Sequence, residues 1–259
     1  MSRQSPMLDL AIDTVRRAAD RALSVQNADG VRLSHFELSG KEAKVNLDGE
    51  LSEFMMNQLT STGIPVVSEE DPDSFTSLDG TVWIIDPLDG SYNYLRRSGP
   101  SAVCCALITD GVPVLGVVCR LDTNQMFWGS RATGSYRDGT PIYVSKTTHV
   151  ADSVLFTGFP ARMDVSNPSV MNRLVTVSSS TRKVRMIGSA AVSLLHVADG
   201  SGDVYAEEGI MPWDVAAGFA IVTSAGGSCL PSSLSSCAPL RAVAGPELLV
   251  GELASTYLS

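Results

Sequence analysis

Residues 83–91 read Trp-Ile-Ile-Asp-Pro-Leu-Asp-Gly-Ser, an apolar strand that runs straight into two carboxylates. Carboxylates that end a buried strand are costly unless something cationic meets them. A hard divalent cation is the natural partner, because Asp, Glu and backbone carbonyls are the ligands Mg²⁺ takes. Pro87 fixes its own φ and removes one donor. Asp89 follows Asp86 by three residues after a bend, so both carboxylates can face one point, with the Leu88 carbonyl free to turn inward beside them. Gly90 permits a conformation or close approach that a side chain would block. Ser91 falls where a short helix could start, and helix N-termini attract anions through their backbone N–H groups. The segment thus offers metal ligands on one side and a phosphate cradle on the other. A Pro turn with solvated carboxylates is the plainer alternative, but the preceding Trp83-Ile84-Ile85 argues for a buried strand end.

Two further acidic clusters flank this block. Ser68-Glu69-Glu70-Asp71 follows a short strand, Ile64 to Val67, and repeats the strand-then-carboxylate pattern; alone, an acidic run is usually a solvated turn. Trp213-Asp214 opens an otherwise apolar helix that ends at Gly226-Gly227. Capping explains an Asp in a first helical turn, and capping is compatible with metal binding. The net charge of −9, with no offsetting basic stripe, argues against nucleic acid as the main partner. It does not exclude anionic small substrates, since a bound metal reverses the local sign. Charges throughout Met7 to Val25 exclude a signal peptide or membrane span there. Five cysteines, mostly in apolar stretches, read as reduced core thiols of a cytoplasmic protein. His35, His149 and His196 are too scattered for a histidine-rich zinc site.

Helical spacing predicts helices over 6–26 and 48–62, and Asp110-Gly111 and Asp138-Gly139 mark hairpins. Residues 1–145 therefore read as an α+β half. In residues 146–259, strands at 154–157, 184–187, 203–206 and 240–244 alternate with helices at 167–178, 190–198, 213–224 and 246–254. That alternation predicts an α/β half with a mainly parallel sheet. With no linker between them, the halves are expected to pack into one body.

Taken in order, Glu69-Glu70, the Trp83–Ser91 block, and Trp213 to Gly218 followed by Ala225-Gly226-Gly227 resemble the inositol monophosphatase family of Mg²⁺-dependent, lithium-sensitive phosphatases. That family shows a GEE-like cluster, a WxIDPxDGT block, and WDxAAG followed by AGG. The resemblance extends over most of the chain. It implies the layered αβαβα sandwich of the sugar-phosphatase group. It also implies a homodimer, and two or three Mg²⁺ ions per site with inhibition by lithium. Carried over by residue, Glu69, Asp86, the Leu88 carbonyl and Asp89 would bind magnesium, and Asp214 would complete a neighbouring site. Glu70 would assist them. Asp48 would pair with Ser91 to hold and deprotonate the attacking water, and Gly90 and Ser91 would hold the phosphate. Gly188-Ser189-Ala190 resembles the segment that faces the substrate. Glu207 falls where the family accepts hydrogen bonds from ring hydroxyls, although Glu207-Glu208-Gly209 also reads as an exposed turn. Lys41 and Lys44 could approach the phosphate, and Tyr92, Asn93 and Tyr94 could line the rim.

Two departures stand out. Ser91 replaces Thr, losing the methyl that helps fix the rotamer, and Lys44-Val45-Asn46-Leu47-Asp48 lacks the Thr of the family's VTxxD. The expected activity is hydrolysis of a small polyol or sugar monophosphate. The alternatives are a nucleotide 3′-phosphatase or fructose-1,6-bisphosphatase of the same fold, and an inactive metal-binding homologue.

Overall fold

The structure, a computed structural model, describes residues 5–27, 36–39, 42–71 and 77–257, with the backbone alone described at 27, 36–39, 42–46 and 256. In chain order its elements are α1 (Pro6–Asn27), β1 (Phe36–Ser39), β2 (Glu42–Val45), α2 (Asn46–Leu59), β3 (Val66–Ser68), β4 (Thr81–Asp89) and α3 (Ser91–Arg96). There follow β5 (Ala102–Thr109), β6 (Val112–Arg120), β7 (Met126–Ser130), β8 (Gly134–Arg137), β9 (Thr140–Ile142), β10 (Val154–Phe156), α4 (Pro168–Ser180) and β11 (Lys183–Arg185). The chain closes with α5 (Ala190–Ala198), β12 (Val204–Ile210), α6 (Pro212–Ser224), β13 (Ser228–Leu230), β14 (Leu240–Gly245) and α7 (Glu247–Tyr257).

Strand parity explains the layering. Strands β3 to β9 form a seven-stranded sheet in sequence order. Successive side chains of a strand point to opposite faces. Trp83 and Ile85 of β4 accordingly pack with Leu8 and Val15 of α1 and Leu51 and Met55 of α2. Ile84, between them, packs with α5 and α6 on the other face. The second sheet, ordered β11-β10-β12-β14-β13, repeats the pattern. Phe156 and Tyr205 face α5 and α6, whereas Leu155, Val204 and Val243 face Val177 of α4 and Leu249 and Leu253 of α7. The result is an αβαβα sandwich. Helix α6 lies between two sheets, and its apolar residues Val215 to Val222 are buried all round, as a central helix requires. Among the described residues no helix is long and apolar enough to cross a membrane, and all five cysteines are free thiols.

The second sheet is mixed rather than mainly parallel. β10 pairs in parallel with β11 and β12, but β14 runs antiparallel to both β12 and β13. No helix separates β13 from β14, and strands joined without a helical crossover return antiparallel. The helix expected over 48–62 ends at Leu59 and finishes in a 3₁₀ turn at Thr60–Thr62. Strand β4 continues through both of its carboxylates instead of ending before them.

Helix α6 approaches the first sheet at a glycine. A Cβ on Gly116 would lie 2.2 Å from the Ala217 carbonyl oxygen. Gly116→Ala is therefore expected to push the central layer apart and lower the Tm by about 4–10 °C in a thermal melt.

Candidate active site

The acidic block is held by a β-bulge. Asp86 pairs with Cys104 and Asp89 with Ala102, so three steps on β4 oppose two on β5. Residues three apart on a regular strand face opposite ways. The extra residue cancels that alternation and brings Asp89 back to the Asp86 side, toward α5.

Carboxylate oxygens of Glu69, Asp86 and Asp214 lie within 4.8 Å of one another. Three elements deliver them. Glu69 leaves the end of β3, its N–H donating to the Ile85 carbonyl at 3.3 Å. Asp86 is 1 % exposed; its Oδ1 accepts the Leu88 N–H at 3.0 Å, and no N–H or hydroxyl group among the described residues donates to its Oδ2, which leaves it only a proton shared with Glu69 or a cation. Asp214 stands in the first turn of α6, after Pro212, and its Oδ2 accepts the Met211 N–H at 2.9 Å. Asp214 therefore caps its helix and joins the cluster as well. Burial pushes Glu69 up to about 7, while a hydrogen bond shared with the Asp86 carboxyl and, less, the charge of Arg162 act the other way. Burial, and then the neighbouring carboxylates, raise Asp86 and Asp214 well above the usual range. A hard divalent cation fits this set: every donor is a carboxylate oxygen, and Asp86 Oδ2 points to an electropositive partner.

Asp89 stands beside this trio and is held by the start of α5. The Ser189 hydroxyl donates to it, as do the N–H groups of Ala191 at 3.1 Å and Ala190 at 3.3 Å. Burial still raises it to about 6 against these hydrogen bonds. Gly90 takes φ +76°, and a Cβ there would sit 3.0 Å from the Pro100 carbonyl oxygen and 3.1 Å from that of Gly188. Ser91 opens α3, and its single hydroxyl hydrogen goes to the Leu88 carbonyl at 2.8 Å instead of to Asp48. Asp48 is buried in the first turn of α2. Glu70 is half-buried, its N–H donating to the Ser68 hydroxyl at 3.3 Å. Lys41 and His35 lie outside the described residues, and so does the side chain of Lys44.

Glu207 lies within β12 rather than in a turn. It shares strand parity with Tyr205, so it faces inward; it is 6 % exposed, and burial raises it to about 8. A cleft of about 240 Å³ joins Glu69, Asp89, Asp214 and Glu207 to the Gly188–Ala190 segment. Its remaining wall, Gly158 to Arg162 with Gly209 and Ile210, was not foreseen in the sequence. That Gly-Phe-Pro-Ala-Arg stretch carries no carboxylate and reads as an ordinary turn. A Cβ on Gly158 would meet Glu207 Oε1 at 2.6 Å, so any other residue there would make that carboxylate shift.

The profile of the inositol monophosphatase family matches residues 3–250. The chain belongs to the inositol monophosphatase family. Among its relatives, an inositol-1-monophosphatase of Synechocystis is 37 % identical over 158 residues, covering 59 % of this chain and 55 % of the relative. That match thus spans only about half of the relative's own length. The Nus factor SuhB of Escherichia coli K12 is 29 % identical over 226 residues, 86 % of this chain and 84 % of that one. The solved SuhB structure from Bartonella henselae superposes with a TM-score of 0.82 over 98 % of both chains, at 24 % identity. At that identity the likeness speaks for the fold.

Proposed function

We propose that this family member is a Mg²⁺-dependent phosphomonoesterase acting on a small polyol or sugar phosphate. The observation that carries the reading is the trio of buried Asp86 with half-buried Glu69 and Asp214, the last two lining a cleft that also holds Asp89 and Glu207. Glu69, Asp86, Asp214, Asp89 and the Leu88 carbonyl would hold two or three ions, assisted by Glu70, and lithium would inhibit. When bound, Mg²⁺ supplies charge neutralisation of the phosphate, a more acidic water and support for the leaving alkoxide. The chain's own groups do the rest. The Gly90-Ser91 turn offers N–H groups to the phosphate oxygens. Asp48 accepts a proton from the attacking water, which requires the Ser91 hydroxyl to turn away from Leu88. Glu207 and the Gly188–Ala190 segment receive the alcohol, and Glu207, once ionised, favours neutral hydroxyls over a second phosphate. The name of the Synechocystis relative points to an inositol-type substrate. A homodimer in the cytoplasm goes with the same reading.

A second reading has one observation in its favour. Arg162 puts a guanidinium on a wall otherwise dominated by carboxylates, beside Phe159, which is 49 % exposed. That pair suits a substrate with a second anionic group. Phosphate release from inositol 1-phosphate, fructose 1,6-bisphosphate and a nucleoside 3′,5′-bisphosphate separates the two. The first reading expects inositol 1-phosphate to lead the panel by about tenfold or more in kcat/KM. The second expects a bisphosphate to lead, and Arg162→Ala to remove that lead.

A further inference from the structure

We infer that Asn93 is a positioning residue that fixes the spacing between the Gly90-Ser91 turn and the segment leading into α5; its kinetic consequence rests on the phosphatase reading above. Asn93 stands two residues after Ser91 in α3. Its amide nitrogen donates to the carbonyls of Ile187 at 2.7 Å and Pro100 at 2.9 Å, with Gly188 at 3.2 Å as a third acceptor. An amide nitrogen carries two hydrogens, and the amide oxygen carries none. A nest of three carbonyls therefore takes the nitrogen end and would repel the oxygen. Two glycines make room for it. A Cβ on Gly99 would lie 2.9 Å from the Asn93 nitrogen, and one on Gly188 would lie 3.1 Å away.

This is the second fastening between the same two segments. Asp89 is held by Ser189, Ala190 and Ala191, and four residues later Asn93 holds Ile187 and Gly188. Residues 89–93 continue from the seven-stranded sheet, and residues 187–191 lead from β11 of the other sheet into α5. The stretch is thus clamped across the layers at both ends. Gly90 is wedged between the clamps, against the same Pro100 and Gly188 carbonyls that receive Asn93. Asp89 is accounted for by the acidic site. Asn93 touches none of the cluster carboxylates and has an effect only through the distance it sets. A displacement of about 1 Å in reacting groups costs on the order of 10²-fold in rate.

The test compares wild type with Asn93→Ala and with Gly99→Ala, which displaces the amide without removing it. The readouts are kcat and KM for inositol 1-phosphate, and calorimetric affinity for inorganic phosphate in Mg²⁺. For Asn93→Ala, kcat/KM is expected to fall about 10²-fold, with about tenfold or more of it in kcat, and phosphate to bind about tenfold more weakly. Gly99→Ala is expected to move both readouts in the same direction. A purely structural role would lower the Tm and leave the phosphate affinity of the folded protein unchanged; that result overturns the assignment, as does a kcat within about threefold of wild type. If wild type hydrolyses no ester, the phosphatase reading fails by itself and phosphate affinity alone decides. Weakening in Asn93→Ala upholds the positioning role, while equal affinity, or no phosphate binding by wild type, overturns it.

Discussion

Asp86→Asn is expected to lower phosphate release by about 10³-fold or more, equivalent to roughly 4 kcal/mol of transition-state stabilisation. The same change is expected to leave the metal-free fold as stable as wild type, or more so. Both halves follow from one geometry. Asp86 is buried, no N–H or hydroxyl group among the described residues donates to its Oδ2, and the carboxylates of Glu69 and Asp214 stand within 4.8 Å. Removing its charge removes repulsion and a desolvation cost, so a thermal melt in EDTA shows an unchanged or higher Tm. It also removes an anionic ligand, so stabilisation by Mg²⁺ shrinks along with the rate. Such opposition between stability and activity is usual where function holds unfavourable charge in place. A variant with wild-type turnover would remove Asp86 from the metal site; an early melt in EDTA would assign it to the fold instead.

Without metal, the protein is expected to lose stability as pH rises from about 5 to 8, opposite to the usual effect of paired carboxylates. Glu69 is raised from 4.5 to about 7, Asp89 from 3.8 to about 6 and Glu207 from 4.5 to about 8, burial being the first cause in each. In the unfolded chain these groups titrate near their ordinary values. The folded state therefore holds more protons across this window. The stability those protons support is fully present below the unfolded values and is lost as pH climbs through the folded ones. A cation that binds the ionised carboxylates counters the loss, so the Tm increment from Mg²⁺ grows with pH. Melts in EDTA and in Mg²⁺ at several pH values check this. A Tm in EDTA that climbs steadily over the window, with no Mg²⁺ increment at its upper end, would count against the account.

The elements and acidic residues that follow local rules were legible in the sequence. Helix α5 has the expected bounds, and both Asp-Gly hairpins form, because apolar periodicity and turn chemistry are encoded within a few residues. The facing of Asp86 and Asp89 was legible too, although its cause is a bulge that only the β5 register reveals. What depends on contacts between distant segments was not legible. Nothing near residue 158 announces that Gly158 makes room for Glu207, and nothing in Ser91-Tyr92-Asn93 points to carbonyls at 187 and 188. Strand β7 was missed because its Met-Phe-Trp-Gly-Ser run is short and carries no distinct turn signal. The direction of β14 depends on the absence of a helix before it, and strand alternation alone does not report that.

If the Glu69–Asp86–Asp214 cluster holds the ions of a phosphatase, activity must come and go with the metal. The most direct test is phosphate release from inositol 1-phosphate by the purified protein, first in EDTA, then with Mg²⁺, then with EDTA restored. The account predicts release that appears with Mg²⁺, stops with EDTA and is absent throughout in Asp86→Asn. Hydrolysis indifferent to EDTA, or none from any phosphate ester with any divalent ion, would contradict it.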